Sequence, residues 1–224
     1  MPNKYKKQKQ KKRGMMAKPA GGPNAIPPIL PPNMTVKLVY SNRKAFGEAS
    51  VAAGGNYTFA LNNLYDPDKT GIGQQPVNFD QLCTLYTLFR VVKVDYDVEI
   101  VHVTAQAAGV TATVGLVPTW NDALPTDPIA WFALSGARSK CLTPYGGSNY
   151  ARFSGSIDPW SVLSIRRQQY MNDTDYTCTA TGGPVRNVYL NIFCVGSGGT
   201  AACLLTISLV YTVQAMIPVL NSLS

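Results

Sequence analysis

Residues 90–103 read RVVKVDYDVEIVHV, and this alternation constrains the chain more than any other stretch. Strand side chains point to opposite faces with period two. That rule puts Val92, Val94, Tyr96, Val98 and Ile100 on one face and Lys93, Asp95, Asp97 and Glu99 on the other. A helix would mix the two sets, so the stretch predicts a strand with one buried and one wet face. Similar runs, separated by Gly, Pro, Asn and Asp, occupy 35–42, 56–62, 110–119, 149–157, 175–181, 187–196 and 202–216. With the short segment Ser139–Leu142 counted as a piece of its neighbour, these make about eight strands.

Helical signals are few. In NFDQLCTLYTLF, Asn78 is placed to cap, with Gln81 three residues on as in a capping box. Leu82, Leu85, Tyr86 and Phe89 follow at helical spacing. DPIAWFALS (127–135) predicts a second short helix, with Asp127 as cap and Pro128 in its first turn. Many strands with no alternating helices predict an all-β fold: an eight-stranded antiparallel jelly-roll sandwich with one or two short helices.

The charge is distributed very unevenly. The chain has 20 basic and 12 acidic residues, a net charge of +8. Lys4, Lys6, Lys7, Lys9, Lys11, Lys12, Arg13 and Lys18 account for all of that excess, and no acidic residue falls within 1–18. The remaining 12 basic and 12 acidic residues cancel. A neutral body with a cationic tail separates folding from the attraction of polyanions. Residues 1–18 have too little apolar surface to offset the entropy of ordering them, which predicts a disordered basic arm. Residues 19–33 carry six prolines and predict an extended, polyproline-like linker. A single domain then spans 34–224, long enough to bury a proper core.

The charged N-terminus is not followed by the apolar core of a signal peptide. The most apolar stretch, TAACLLTISLVYTVQAMIPVL, alternates with Thr, Ser and Gln and reads as a buried strand, so no membrane insertion is expected. Five cysteines without metal-type spacing predict reduced thiols, with Cys194 and Cys203 as small core residues.

Catalytic chemistry has little material. His102 is the one histidine, too few for a cupin-type metal site and a single base for any Ser or Cys nucleophile. GSGG (196–199) joins two strand-like runs, as a hairpin loop does, and opens no helix that could cradle phosphate. DPDKTG places Asp66, Asp68 and Gly71 at calcium-loop spacing. Thr70 and Val77 stand at the fifth and twelfth positions, however, and Val77 cannot supply the bidentate carboxylate. A turn stapled by Asx hydrogen bonds is the simpler reading. Asp95, Asp97 and Glu99 share one strand face, which suits a solvated surface or, alternatively, a structural calcium or a basic partner at an interface. Arg152, Arg166 and Arg167 are read as isolated solvated charges.

The segment FALNNLYDPDKTGIGQQPVNFDQLCTLYTLFRVVKVDYDVEI (59–100) resembles the capsid proteins of small circular Rep-encoding single-stranded DNA (CRESS-type) viruses. Related blocks occur in jelly-roll capsids of some small icosahedral positive-strand RNA viruses. The features carrying the resemblance are Leu61–Asn63, the turn Tyr65-Asp66-Pro67-Asp68, the segment Thr70-Gly71 through Gln75-Pro76, Phe79-Asp80-Gln81, and Tyr86 leading into Phe89-Arg90-Val91. Gln74 and Phe89 depart from the family pattern, which more often has His and Tyr there.

The resemblance implies a non-enzymatic capsid protein that self-assembles into an icosahedral virion and packages a single-stranded genome. It favours DNA, with RNA as the alternative. The expected genome contacts are the eight basic arm residues named above, with Tyr5 able to stack on a base. The arm also has the composition of a nuclear localisation signal, so host nuclear import receptors are expected partners and assembly is expected in the nucleus or cytoplasm. A jelly-roll binding module that never assembles, carrying a nucleic-acid-binding tail, is the other reading.

Overall fold

Every second residue of the last strand is buried: Ala201, Cys203, Leu205, Ile207, Leu209, Tyr211, Val213 and Ala215. This strand, β8 (Ala201–Pro218), lies between two other long strands, β1 (Asn33–Ala49) and β3 (Tyr86–His102), and is antiparallel to both. The computed structural model describes residues 30–50, 54–70, 74–103, 110–143 and 148–219. The basic arm 1–18 and linker residues 19–29 lie outside the described residues.

The remaining strands are β2 (Gly55–Ala60), β4 (Thr111–Thr119), β5 (Arg138–Leu142), β6 (Tyr150–Ile157) and β7 (Tyr189–Ser197). They form two four-stranded antiparallel sheets, ordered β1-β8-β3-β6 and β2-β7-β4-β5. The pairs β1–β8, β2–β7, β3–β6 and β4–β5 are those of one long hairpin closed at β4–β5. The further pairs β3–β8 and β4–β7 form when that hairpin rolls up. This is the jelly-roll topology, reached from strand order alone. The core lies between the sheets, where Tyr211 of β8 donates its hydroxyl to Ala60 O of β2 at 2.9 Å.

The alternation in β3 holds from Val94 to Ile100: Val94, Tyr96, Val98 and Ile100 are buried, and Asp95, Asp97 and Glu99 are half exposed. Val92 departs from its expected face. Between Val91 and Lys93 the pairing with β8 shifts by one residue, so Val91 is fully buried and Val92 is the extra residue of a bulge.

Three other expectations are corrected. Ser139–Leu142 is not part of a neighbour; with Arg138 it makes an edge strand of its own on β4. Residues 175–181 are not a strand. Residues Thr174–Tyr176 form a 3-10 turn capped by Asp173, and only Cys178 makes a bridge, exchanging two 2.9 Å backbone hydrogen bonds with Phe89. Partner availability explains this: β6 covers the outer edge of β3 only from Val94 to Val101, so Cys178 satisfies the backbone earlier in the strand. The helix expected from Asn78 is a single turn, α1 (Phe79–Cys83). Asn78 sits in the left-handed region (φ 67), where its side chain makes no capping bond. Tyr86 and Phe89 are buried as strand residues, and Leu85 is exposed.

The second short helix expected over 127–135 is present as a 3-10 helix, Pro128–Ala133, with Asp127 accepting from Ile129 N at 2.9 Å. Two further short helices were not anticipated: α2 (Pro159–Val162) and α3 (Arg167–Asn172). Asp158-Pro159 repeats the Asp-Pro signal of Asp127-Pro128 and could have revealed α2.

The open side of the sandwich is closed by side chains. Tyr96 lies across Gly155, and its hydroxyl accepts from Arg138 of β5 at 2.8 Å. Arg138 also donates to Ser154 O, and Lys140 to Arg152 O, so β5 of one sheet is laced to β6 of the other. A Cβ on residue 155 would stand 2.7 Å from the Tyr96 hydroxyl. Gly155→Val is therefore expected to cost about 2 kcal/mol, read as a lower denaturation midpoint. Adding Tyr96→Phe, which removes the clashing oxygen, should recover part of the loss.

Candidate subunit and nucleic-acid surfaces

The nine arm residues expected to contact nucleic acid, Lys4 to Lys18 with Tyr5, lie outside the described residues. The structure describes where the chain enters the domain. Leu30 packs against the core, and Pro31 O accepts from the buried Tyr86 hydroxyl at 3.0 Å. The end of the linker is thus docked on the start of β3. The other end of the described chain lies beside it: Val219 N donates to Leu85 O, and Thr87 donates its hydroxyl to Ile217 O.

The acidic trio on β3 is met by cations of its own chain. Arg152 on β6 is paired in register with Glu99 and donates to both carboxylate oxygens of Asp97, at 2.8 and 2.5 Å. It also lies 3.7 Å from Glu99, which accepts from the Tyr150 hydroxyl at 3.0 Å. Lys93 pairs with Asp95 at 2.9 Å. Arg152 is therefore not an isolated charge, and the trio is a cross-strand ion-pair network rather than an open carboxylate cluster. Among the described residues no group of three or more His, Cys, Asp or Glu is arranged to hold a metal ion. The other two arginines differ in role: Arg166 precedes α3, and the Arg167 guanidinium lies over the Trp160 ring, 5.5 Å from its centroid.

The DPDKTG turn contains a buried ion pair that local sequence did not show. Asp68 is 1% exposed, pairs with Lys44 of β1 at 2.6 Å and accepts from Asn42 at 3.2 Å. Its other oxygen accepts from the Thr70 backbone and hydroxyl, the expected Asx staple. Burial disfavours the charged carboxylate, but the bonds from Lys44 and Thr70 outweigh it and hold Asp68 below its ordinary value. Asn62 and Asn63 fix the turn before it. Asn62 bridges Arg186 O and Val188 N, both at 2.8 Å, and Asn63 accepts from Tyr65 N and Asp66 N.

Arg90 is also buried, at 4% exposure. It donates to Met171 O and, at 2.8 Å, to Asp173 O, so it closes the C-terminal end of α3. The Tyr170 hydroxyl anchors the same helix to Val91 O at 2.9 Å.

Loop surfaces lie at the end of the sandwich where β2, β4 and β6 finish. Trp120 is 69% exposed. It stands between a groove of about 810 Å³ that includes Pro118, Pro125 and Leu134 and one of about 620 Å³ that includes Leu163, Val185 and Tyr189. His102 is buried with its Nε2 unpartnered, and burial lowers its pKa. Among the described residues no helix is long and apolar enough to cross a membrane, and the apolar stretch at 202–216 is β8.

No protein-family model and no curated sequence matches the chain. Among solved structures, it is similar to Desmodium yellow mottle tymovirus, at 11% identity over 99% of this chain and 100% of that one, with a TM-score of 0.42. It is similar to an empty head of turnip yellow mosaic virus, at 14% identity over 92% and 94% of the two chains, with a TM-score of 0.44. It is also similar to cocksfoot mottle virus, at 8% identity over 83% and 97%, with a TM-score of 0.43.

The Lys44–Asp68 pair gives a prediction with a definite sign. The native carboxyl has a depressed pKa, so its stabilising contribution is present above the unfolded value, near 3.8, and is lost as pH falls through the lower native value. Asp68→Asn should cost about 3 kcal/mol at neutral pH, because it leaves a half-buried Lys44 unpaired. Denaturant titrations should show wild type and variant converging as pH drops below about 4.

Proposed function

We propose that the chain is a non-enzymatic capsid protein that self-assembles into a closed icosahedral shell and packages single-stranded nucleic acid through its basic arm. The observation that carries this reading is the segregation of charge. All of the net +8 belongs to residues 1–18, tethered by a proline-rich linker to a neutral jelly roll. The resemblance of residues 59–100 to jelly-roll capsid proteins supports it independently. A rigid sandwich with its strand edges laced by side chains is suited to tiling, and symmetric closure follows from repeated contacts between identical copies.

The arm would act by phosphate neutralisation, with counterions released from the strand as Lys4, Lys6, Lys7, Lys9, Lys11, Lys12, Arg13 and Lys18 bind. Tyr5 offers a ring for base stacking. This chemistry reads charge and not sugar, so the arm accepts DNA or RNA. The resemblance to the CRESS-type capsids favours DNA, with a single-stranded RNA genome as the alternative. The protein's place is the virion, and the arm doubles as a nuclear address recognised by import receptors before assembly. A calcium ion at Asp95, Asp97 and Glu99 is not part of the proposal, because Lys93 and Arg152 already meet those carboxylates.

The test is expression of the full chain and of a chain lacking residues 1–18. The full chain should give closed particles whose nucleic acid resists nuclease until they are opened. Digestion of the extracted contents with DNase or RNase then identifies the sugar. The truncated chain should keep its thermal midpoint and protect several-fold less nucleic acid per particle. A full chain that stays monomeric at every salt concentration, with and without nucleic acid, would overturn the capsid reading. Equal nucleic-acid content after truncation would overturn the arm's role.

A further inference from the structure

The sandwich brings together two thiols that assembly and packaging do not use. Cys194 on β7 and Cys203 on β8 belong to different sheets, and both are fully buried. Their sulfurs lie 3.4 Å apart, with the Cys194 thiol donating to Cys203. Both thiols are reduced in this structure.

Small residues allow this approach. β7 and β8 are consecutive in the chain, and the turn between them contains Gly198 in the left-handed region at φ 77. Around the pair, Ala49 faces Ala201 in the β1–β8 ladder and Ala112 faces Gly196 in the β4–β7 ladder. A Cβ on Gly196 would lie 2.5 Å from Ala49 O, so the backbone of one sheet nearly touches the other here. Two side chains as short as cysteine can therefore meet across the core. The contact also polarises the pair: the hydrogen bond raises the pKa of Cys194 and lowers that of Cys203.

We propose that Cys194 and Cys203 are a disulfide-forming site that joins the two sheets when the protein meets a small-molecule disulfide such as oxidised glutathione. While the sheets are apart, during refolding or an opening of the β7–β8 turn that exposes both buried sulfurs, the Cys203 thiolate attacks one glutathione sulfur, the glutathione S–S bond breaks, and one glutathione thiolate leaves. Cys194 loses its proton to solvent and attacks the mixed disulfide at the Cys203 sulfur. The Cys194–Cys203 bond forms as the second glutathione thiolate leaves. Two protein thiols are oxidised and one glutathione disulfide is reduced to two thiols. The sulfurs need to approach by little more than about 1 Å to reach the bond length of about 2.05 Å. The other thiols have different surroundings: Cys141 is exposed, Cys83 is half-buried, and buried Cys178 donates to Phe89 O. The link would hold the sheets together at the β7–β8 turn in an oxidising medium and leave them separable in a reducing one.

Trypsin makes the test direct, because no Lys or Arg follows Arg186 and the peptide beginning at Asn187 contains Cys194, Cys203 and no other cysteine. The full chain is treated with oxidised glutathione, once when folded and once during refolding from denaturant. It is then alkylated in denaturant and digested. The expected peptide is lighter by two hydrogens and carries no alkyl group, whereas the reduced control carries two. The oxidised protein should also melt several degrees higher. Cys203→Ala should abolish that gain; if this variant does not fold, the wild-type peptide mass still decides. The proposal is overturned if the peptide takes two alkyl groups after both treatments, retains glutathione as a stable adduct, or is linked to Cys83, Cys141 or Cys178. None of these outcomes depends on whether particles form.

Discussion

The inward face of β8 is the constraint on which the rest of the structure depends. A strand flanked on both sides must bury one whole face, and a one-residue slip would bring Thr206, Ser208, Thr212 and Gln214 into the core. The long registers with β1 and β3 remove that freedom, and they fix which residues of the flanking strands face inward. The Tyr211 hydroxyl, bonded to Ala60 O, then sets one point of contact between the two sheets. Rolling of the hairpin places the strand ends, and the loops and termini follow from those ends.

Polar clamps complete what the apolar faces begin. Arg90 and the Tyr170 hydroxyl hold α3 against β3, and Asn62 and Asp68 hold the turn after β2. These groups are buried, so each is costly to leave unpaired and each specifies one position for its loop. Loops held in this way present defined surfaces at the end of the sandwich where Trp120 is exposed and where the linker enters at Leu30 and Pro31. The Cys194–Cys203 contact lies where small residues let the sheets come closest.

Much of this was legible in the sequence wherever the physics is local. Period-two patterning located seven of the eight strands and the wet face of β3, because burial on one side of a sheet leaves a periodic trace. The bulge at Val91–Lys93, the edge strand β5 and the absence of a strand at 175–181 depend on whether a partner edge is available, and no local pattern records that. The helix after Asn78 stops after one turn because strand pairing claimed Tyr86 and Phe89, whose spacing fits both structures. The candidate site divides in the same way. The charge of the arm is a matter of composition. The partners of Asp97 and Asp68 are Arg152 and Lys44, far away in the chain and brought near only by the ladder and the turn.

The body beyond residue 18 carries equal numbers of basic and acidic residues, and the proposed function gives nucleic-acid binding to the arm alone. The dependence of binding on salt tests it most directly. Each phosphate neutralised on a single strand steepens the plot of log affinity against log salt by about 0.7. With its arm basic residues engaged, the full chain should show a slope of about −6 on single-stranded DNA or RNA, and the chain lacking residues 1–18 a slope near zero. An equal slope in the two chains would place the binding charge on the folded body and contradict the account.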